Sequence, residues 1–174
     1  MNTVTITSGK YKGRKIFTPG KMTHPMGSRE RLALFNMIGA EISGACLMDT
    51  FAGSGVLGIE ALSRGASKVI FVDKAPSAIQ AIKKNLAGLE IANEAQVFCK
   101  ALPHLDEDLG PFDIILADPP YDAFKDADII PLEDFLKPRG ILGLSHPKEA
   151  PIIPGLTLLK THRYAAAHIS IYTK

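Results

Sequence analysis

The sequence predicts an α/β fold with a doubly wound parallel sheet, and three observations carry that prediction. From residue 45 onward, short apolar runs alternate with stretches of helical spacing, as strand–helix–strand units do. The apolar run 46–50 feeds a glycine turn, Gly53, Ser54 and Gly55, that opens a helix. A second apolar run, 114–117, ends in Asp118, Pro119, Pro120 and Tyr121. In a doubly wound sheet the first and fourth strands lie side by side, and ligands bind beyond their carboxyl ends where the strand order reverses. These two stretches should therefore face one pocket.

In chain order, residues 3–8 alternate Thr with β-branched residues, Ser8 and Gly9 interrupt the run, and it resumes over 14–18 before Pro19. This reads as a β-hairpin or extended arm. Ser28 is placed to cap a helix in which Leu34, Phe35, Ile38 and Ile42 recur at helical spacing, ending near Gly44. Strands are expected near 45–50, 68–73, 95–99, 112–117 and 140–145, with helices near 55–64, 77–89 and 125–136. Pro76 suits a first helical position, where its missing N–H has no partner to lose. Residues 156–163 and 168–172 read as two closing strands, antiparallel because only the short turn 164–167 joins them.

The 174 residues, 46% apolar, amount to one domain: a basic arm over 1–27 and a core over 28–174. No cationic segment leads into an apolar run with a small-residue cleavage site, and no apolar stretch reaches membrane length, so a soluble cytoplasmic protein is expected. Cys46 and Cys99 lie in predicted strands without metal-ligand spacing and are expected to be buried thiols. The five histidines show no paired spacing, and no metal is expected. The net charge of +2 is uneven: residues 1–31 carry +6, from Lys10, Lys12, Arg14, Lys15, Lys21, Arg29 and Arg31 against Glu30, and the rest carries −4. Such clustering suits phosphate neutralisation and points to nucleic acid. Tyr11, among these cations, could stack on a base or pack on a neighbour.

Glycines at 53 and 55 allow positive φ and close approach to a ligand, and Gly58 allows the helix to pack on its strand. Gly53, Gly55 and Gly58 satisfy a dinucleotide fingerprint, with Asp73 placed about 20 residues on to hold a ribose diol. Asp49 opposes that reading, since a carboxylate at the turn repels a pyrophosphate. S-adenosylmethionine, with its ammonium, sulfonium and ribose diol, matches the acids better. Asp118 and the Pro119 carbonyl could accept hydrogen bonds from a planar amine, localising its lone pair toward the sulfonium methyl, while Tyr121 stacks on the ring. A base within a duplex cannot reach such a pocket, so the target should be single-stranded or flipped out.

With both motifs placed, the chain resembles the RsmD family, guanine N2 methyltransferases of small-subunit ribosomal RNA with the class I S-adenosylmethionine-dependent fold. The resemblance rests on Asp49, Phe51 to Gly55, Gly58 to Ala66, and Asp118 to Tyr121, with Ser8 to Lys15 similar to the family's hairpin and Arg29, Arg31, Leu34, Phe35 and Asn36 similar to its first helix. It implies a seven-stranded sheet of order 3-2-1-4-5-7-6 after an N-terminal hairpin. It also implies S-adenosylmethionine held by Asp49, Phe51, Gly53, Gly55, Asp73 and backbone near Ala101 and Leu102. Catalysis would fall to Asp118, Pro119 and Tyr121. Lys10, Lys12, Arg14, Lys15, Arg29 and Arg31 would meet 16S rRNA within a small subunit or its assembly intermediate, the protein acting as a monomer.

The chain departs from the family at Met26, Gly27 and Ser28, where Thr-x-Asp is usual, at Leu32 for Glu, at Lys100 for an acid or amide, and at Ala165 for Gly, where a shifted turn is expected. Other readings are a protein glutamine methyltransferase, which usually carries Asn at the position of Asp118, a DNA adenine methyltransferase, an NAD oxidoreductase, and a catalytically silent RNA-binding assembly factor on the same fold.

Overall fold

The structure, a computed structural model, describes residues 2–19, 26–106, 109–164 and 167–174. Strands β1 (Thr3–Thr5) and β2 (Lys15–Phe17) form an antiparallel hairpin. There follow α1 (Ser28–Ile38), β3 (Cys46–Thr50), α2 (Val56–Ser63), β4 (Lys68–Asp73), α3 (Pro76–Leu89), β5 (Ala95–Cys99) and β6 (Phe112–Ala117). The chain closes with α4 (Asp126–Ile129), β7 (Leu136–His146), β8 (Thr157–Arg163) and β9 (His168–Thr173). The seven-stranded sheet has the order β5-β4-β3-β6-β7-β9-β8, which is 3-2-1-4-5-7-6 counted from β3. Strands β3 to β7 run parallel, and β9 is antiparallel to both β7 and β8.

Both faces of the central strands are buried, which is why they read as continuous apolar runs rather than alternating ones. Leu47, Val69, Phe71, Ile114 and Leu116 pack toward α1, α2 and α3, and Met48, Val72, Ile115, Ala117, Leu142 and Leu144 pack toward α4 and the segment after it. Gly58 earns its place here, because a Cβ would overlap the Phe71 ring and crowd Val69.

Several boundaries differ from expectation for identifiable reasons. The α1 cap is Gly27, not Ser28: Glu30 folds its carboxylate back onto Gly27, into the space a Cβ would need. The helix expected over 125–136 is a single α-turn, α4, continued as the 3-10 segment Ile130–Phe135, since Pro131 lacks the N–H that an α-helix would use. Strand β7 starts four residues earlier than expected and bulges against β6 between the pairs Phe112–Leu136 and Ile114–Ile141, with Arg139 at φ 65°. Cys99 is exposed rather than buried, because β5 is the outermost strand of its side, whereas Cys46 is half-buried. The shifted turn expected at Ala165 lies outside the described residues.

The basic arm is built into the domain. Ile6 and Ile16 are buried in the same core cluster as α2 and α3. Glu60 of α2 is fully buried, and its carboxylate accepts from the Thr7 N–H (2.8 Å), the Thr7 hydroxyl (2.6 Å) and Arg64 Nη2 (3.0 Å). Ser63 receives the Lys10 N–H on its carbonyl (2.7 Å) and the Tyr11 N–H on its hydroxyl (2.9 Å). Gly9, at φ +78°, passes so close to the Ser63 carbonyl that no side chain fits. On the other side, Asn85 of α3 pairs with Phe17 as a strand would: the Phe17 N–H donates to Oδ1 and Nδ2 donates to the Phe17 carbonyl, both at 2.8 Å. The same Nδ2 donates to the Ser54 carbonyl in the glycine turn (2.9 Å). One buried amide thus joins the arm, α3 and the turn.

Arg31 completes this framework. Its guanidinium is 1% exposed, lies 3.6 Å from Glu60, and donates to the carbonyls of Thr5 (2.8 Å) and Met26 (3.2 Å). Removing one member of a buried ion pair leaves the other uncompensated, at a cost of about 3–5 kcal/mol. Glu60→Ala should therefore lower the unfolding free energy by about that amount in urea titrations. Asn85→Ala, which strands the Phe17 and Ser54 backbone groups, should cost about 1–3 kcal/mol. An unmoved midpoint in both variants would contradict this account of how the arm is held.

Candidate active site

The site forms where the strand order reverses, between β3 and β6. Strand β3 delivers Asp49 and Thr50, and the next residue, Phe51, takes φ 54°, a left-handed conformation rare for an aromatic residue. Gly53 (φ 55°) and Gly55 (φ 78°) complete the reversal into α2. Two carboxylates fasten this backbone. Asp73, at the end of β4, accepts the Gly53 N–H on Oδ2 and the Ala75 N–H on Oδ1, both at 2.8 Å. Asp49 accepts the Gly58 N–H at 2.8 Å, meeting a donor that the first turn of a helix cannot meet internally.

Beyond the turn lies a cleft of about 360 Å³, within the size of small-molecule sites. Phe51, Gly53, Val72, Leu57 and Leu102 give it apolar and backbone walls, and Asp49, Asp73 and Asp118 converge on it. Asp49 is 1% exposed, and burial, reinforced by Asp118 and Asp73, pushes its carboxyl well above the usual range against the pull of the Gly58 amide. The lining carries Asp49, Asp73, Asp118 and Asp128 against Lys74 and Lys100, an excess of acids that favours a cationic ligand.

S-adenosylmethionine fits this donor set: its ammonium and sulfonium meet carboxylates, and Asp73, a four-site acceptor with two sites taken by backbone, keeps capacity for a diol. A pyrophosphate does not fit, because the Gly53 and Gly58 amides it would need already serve Asp73 and Asp49. Ala101 and Leu102 line the far end of the cleft beside Lys100, whose ammonium is paired with Asp106. Gly55 stands behind the turn, against Phe71 and Ile82.

Asp118 directly follows β6, partly exposed in the cleft. Its Oδ2 accepts the Met26 N–H at 3.2 Å. Burial raises its carboxyl to about 6, moderated by the Ser145 hydroxyl, the Met26 amide and the charge of Arg31. Pro120 lines the cleft, and its carbonyl accepts the Ala123 N–H (3.0 Å). Pro119 is buried, and Tyr121 is half-buried with its hydroxyl bonded to Ser145.

Of the expected RNA contacts, Lys10, Lys12, Arg14, Lys15 and Arg29 are exposed. Arg31 is not, and its assignment to RNA is corrected: its charge faces Glu60 and two backbone carbonyls inside the protein. Tyr11 packs partly against the core. The arm lies along α3, with Arg14 reaching the Gly88 carbonyl (3.2 Å) and Lys84 standing 4.7 Å from the centre of the Phe17 ring. The exposed Lys83 and Lys84 of α3 thereby extend the basic surface, a juxtaposition that sequence reasoning missed. It also missed Met26, Asn85 and Ser145. For Ser145 a signal existed in the strand order: the fifth core strand lies beside the fourth, so its end meets Asp118.

A family model described as "Conserved hypothetical protein 95" matches residues 4–173. The protein named "Ribosomal RNA small subunit methyltransferase D" of Haemophilus influenzae is 34% identical over 167 residues, covering 90% of this chain and 86% of that one. The chain belongs to the RsmD family. "Putative rRNA methyltransferase YlbH" of Bacillus subtilis is 36% identical over 180 residues, covering 97% of this chain and 98% of that relative. Among solved structures, "Putative methyltransferase yhhF from Escherichia coli" superposes with a TM-score of 0.90 at 30% identity, over 99% of this chain and 98% of that one. The fold is that of the class I methyltransferases. Among the described residues, no helix is long and apolar enough to cross a membrane.

The raised Asp118 carboxyl sets opposite pH dependences for stability and for accepting a hydrogen bond. Between about pH 4 and pH 6 the folded state binds more protons at this group than the unfolded chain does, so its contribution to stability falls as pH rises through that window. Asp118→Asn removes this charge. It should be more stable than the parent at pH 8, by about 1–3 kcal/mol, and the gain should fall to about a third of that near pH 4.5. Chemical denaturation at the two pH values checks this, and an equal difference at both would refute it.

Proposed function

We propose that the protein transfers a methyl group from S-adenosylmethionine to the exocyclic N2 amine of a guanine in 16S rRNA. The observation that carries this reading is the placement of Asp118, Pro119, Pro120 and Tyr121 at the end of β6, beside a cleft whose acids suit a cationic cofactor. S-adenosylmethionine supplies an electrophilic methyl group on a sulfonium. Asp49, Phe51, Gly53 and Asp73 orient it, with Ala101 and Leu102 beside the adenine.

The chain's own residues present the acceptor. Asp118 and the Pro119 carbonyl accept the two amine hydrogens, which draws the nitrogen lone pair out of conjugation, and the phenol ring of Tyr121 stacks on the base. Methyl transfer would leave an extra proton and positive charge on the amine nitrogen, and the Asp118 carboxylate would be the group to take that proton. In-line positioning of the two reactants supplies much of the acceleration, up to about 7–11 kcal/mol in favourable cases. The exposed cations of the arm and α3 hold the RNA phosphates. This reading carries with it a monomeric enzyme in the cytoplasm, working on small subunits or their assembly intermediates.

Radiolabelled methyl transfer to small subunits lacking the modification, followed by nucleoside analysis, tests the proposal, and N2-methylguanosine is expected. Transfer to a protein amide or to adenine would replace the acceptor, and cofactor binding without transfer to any of these would favour a silent assembly factor. Asp118→Ala and Tyr121→Ala should slow transfer by at least about 100-fold and leave cofactor binding largely intact. Replacing Lys10, Lys12, Arg14 and Lys15 with Ala should weaken RNA binding and flatten its dependence on salt. An unchanged salt slope would remove the arm from the interface.

A further inference from the structure

We propose that Ser145 is a positioning residue for methyl transfer: its hydroxyl joins the Tyr121 phenol to the Asp118 carboxylate, and so fixes the plane that receives the base relative to the oxygen that receives its amine. The proposal rests on the reading of Asp118 and Tyr121 given above.

The sheet itself creates the contact. Ala117 of β6 pairs with Leu144 of β7, which sets the next residues, Asp118 and Ser145, side by side at the carboxyl ends of neighbouring parallel strands. Ser145 is also paired with Ile169 of β9. Its backbone is thus held by β9 directly beside it and by β6 one residue before it, the kind of rigid support that a precise site requires. The side chain is 0% exposed. Its hydroxyl is hydrogen-bonded to the Tyr121 hydroxyl, and the register sets the Asp118 carboxylate beside it.

The direction of these bonds follows from hydrogen-bond capacity. A serine hydroxyl offers one proton and two lone pairs, and an ionised carboxylate only accepts. Ser145 therefore donates to Asp118 and accepts from Tyr121. The chain Tyr121 O–H to Ser145 O–H to Asp118 leaves each hydroxyl proton one destination, and it stabilises the ionised form of Asp118, the form able to accept an amine hydrogen. With the Met26 N–H observed on Asp118 and the proposed Ser145 bond added, two of the carboxylate's four acceptor sites remain for substrate. The charged groups around the pair are Arg31 from α1 and Asp49 from β3 near Asp118, and Glu30 from α1 near Tyr121.

The test measures the Asp118 carboxyl by carbon NMR across pH in the parent, Ser145→Ala and Ser145→Thr proteins, together with kcat, KM and cofactor affinity. Ser145→Ala should move the Asp118 titration upward by about half a pH unit or more. It should lower kcat by about tenfold or more while cofactor affinity stays within about twofold. Ser145→Thr, which keeps the hydroxyl, should restore the parent titration. Adding Tyr121→Phe to Ser145→Ala should slow the reaction no more than about twofold further, since both act through one chain.

An Asp118 titration unmoved in Ser145→Ala, with kcat within about twofold of the parent, would overturn the proposal. If Ser145→Ala does not fold, Ser145→Cys, a weaker donor, takes its place and is judged by the same titration. The titration needs no RNA. An upward shift in a protein that fails to methylate guanine would therefore uphold the link between Ser145 and Asp118 and count only against the choice of acceptor.

Discussion

The structure depends on two carboxylates that hold backbone amides at the foot of the cleft. Asp73 clamps Gly53 and Ala75, and Asp49 takes the Gly58 amide that α2 leaves unmet. Without them, a turn that places Phe51 and two glycines at positive φ would have few reasons to keep one shape. The same interactions bring negative charge into a buried place, where burial raises the Asp49 carboxyl. A cationic ligand relieves that charge and an anionic one adds to it, so a device that shapes the turn also selects the ligand.

The arm follows a similar economy. A hairpin of two three-residue strands cannot hold itself in water, and here it borrows a framework from two helices. Glu60 and Ser63 of α2 take its backbone on one side, and Asn85 of α3 takes it on the other. Because Asn85 also holds the Ser54 carbonyl, the cationic surface and the cofactor turn share one rigid support. Arg31 extends that support to the segment before α1, binding the Met26 carbonyl while the Met26 amide reaches Asp118. The cation thus serves the site from within.

Much of this was legible in the sequence, for reasons tied to particular residues. Strands buried on both faces leave uninterrupted apolar runs, so β3, β4 and β6 could be placed closely from residue types alone. Gly53, Gly55 and Gly58 announced close backbone approach, and Asp118 with its two prolines announced a stiff acceptor loop. Residues whose role depends on a distant partner were not legible. Arg31 and Arg29 look equivalent in a cationic segment, yet one faces Glu60, 29 residues away in the chain, and the other faces solvent. Cys99 sits in an apolar strand but is exposed, because exposure there depends on β5 being the outermost strand of its side.

The sequence by itself determined the parallel core, the glycine turn, the acids that flank it and the excess of cations at the start of the chain. These are matters of local spacing and residue chemistry, which neighbours in sequence settle. The tertiary structure alone decided which cations reach the surface, which carboxylates share a cleft, and that a serine on β7 holds the phenol of Tyr121. Those follow from strand register and from burial. A buried polar group must find its partner wherever the fold brings one, and the fold brings partners from anywhere along the chain.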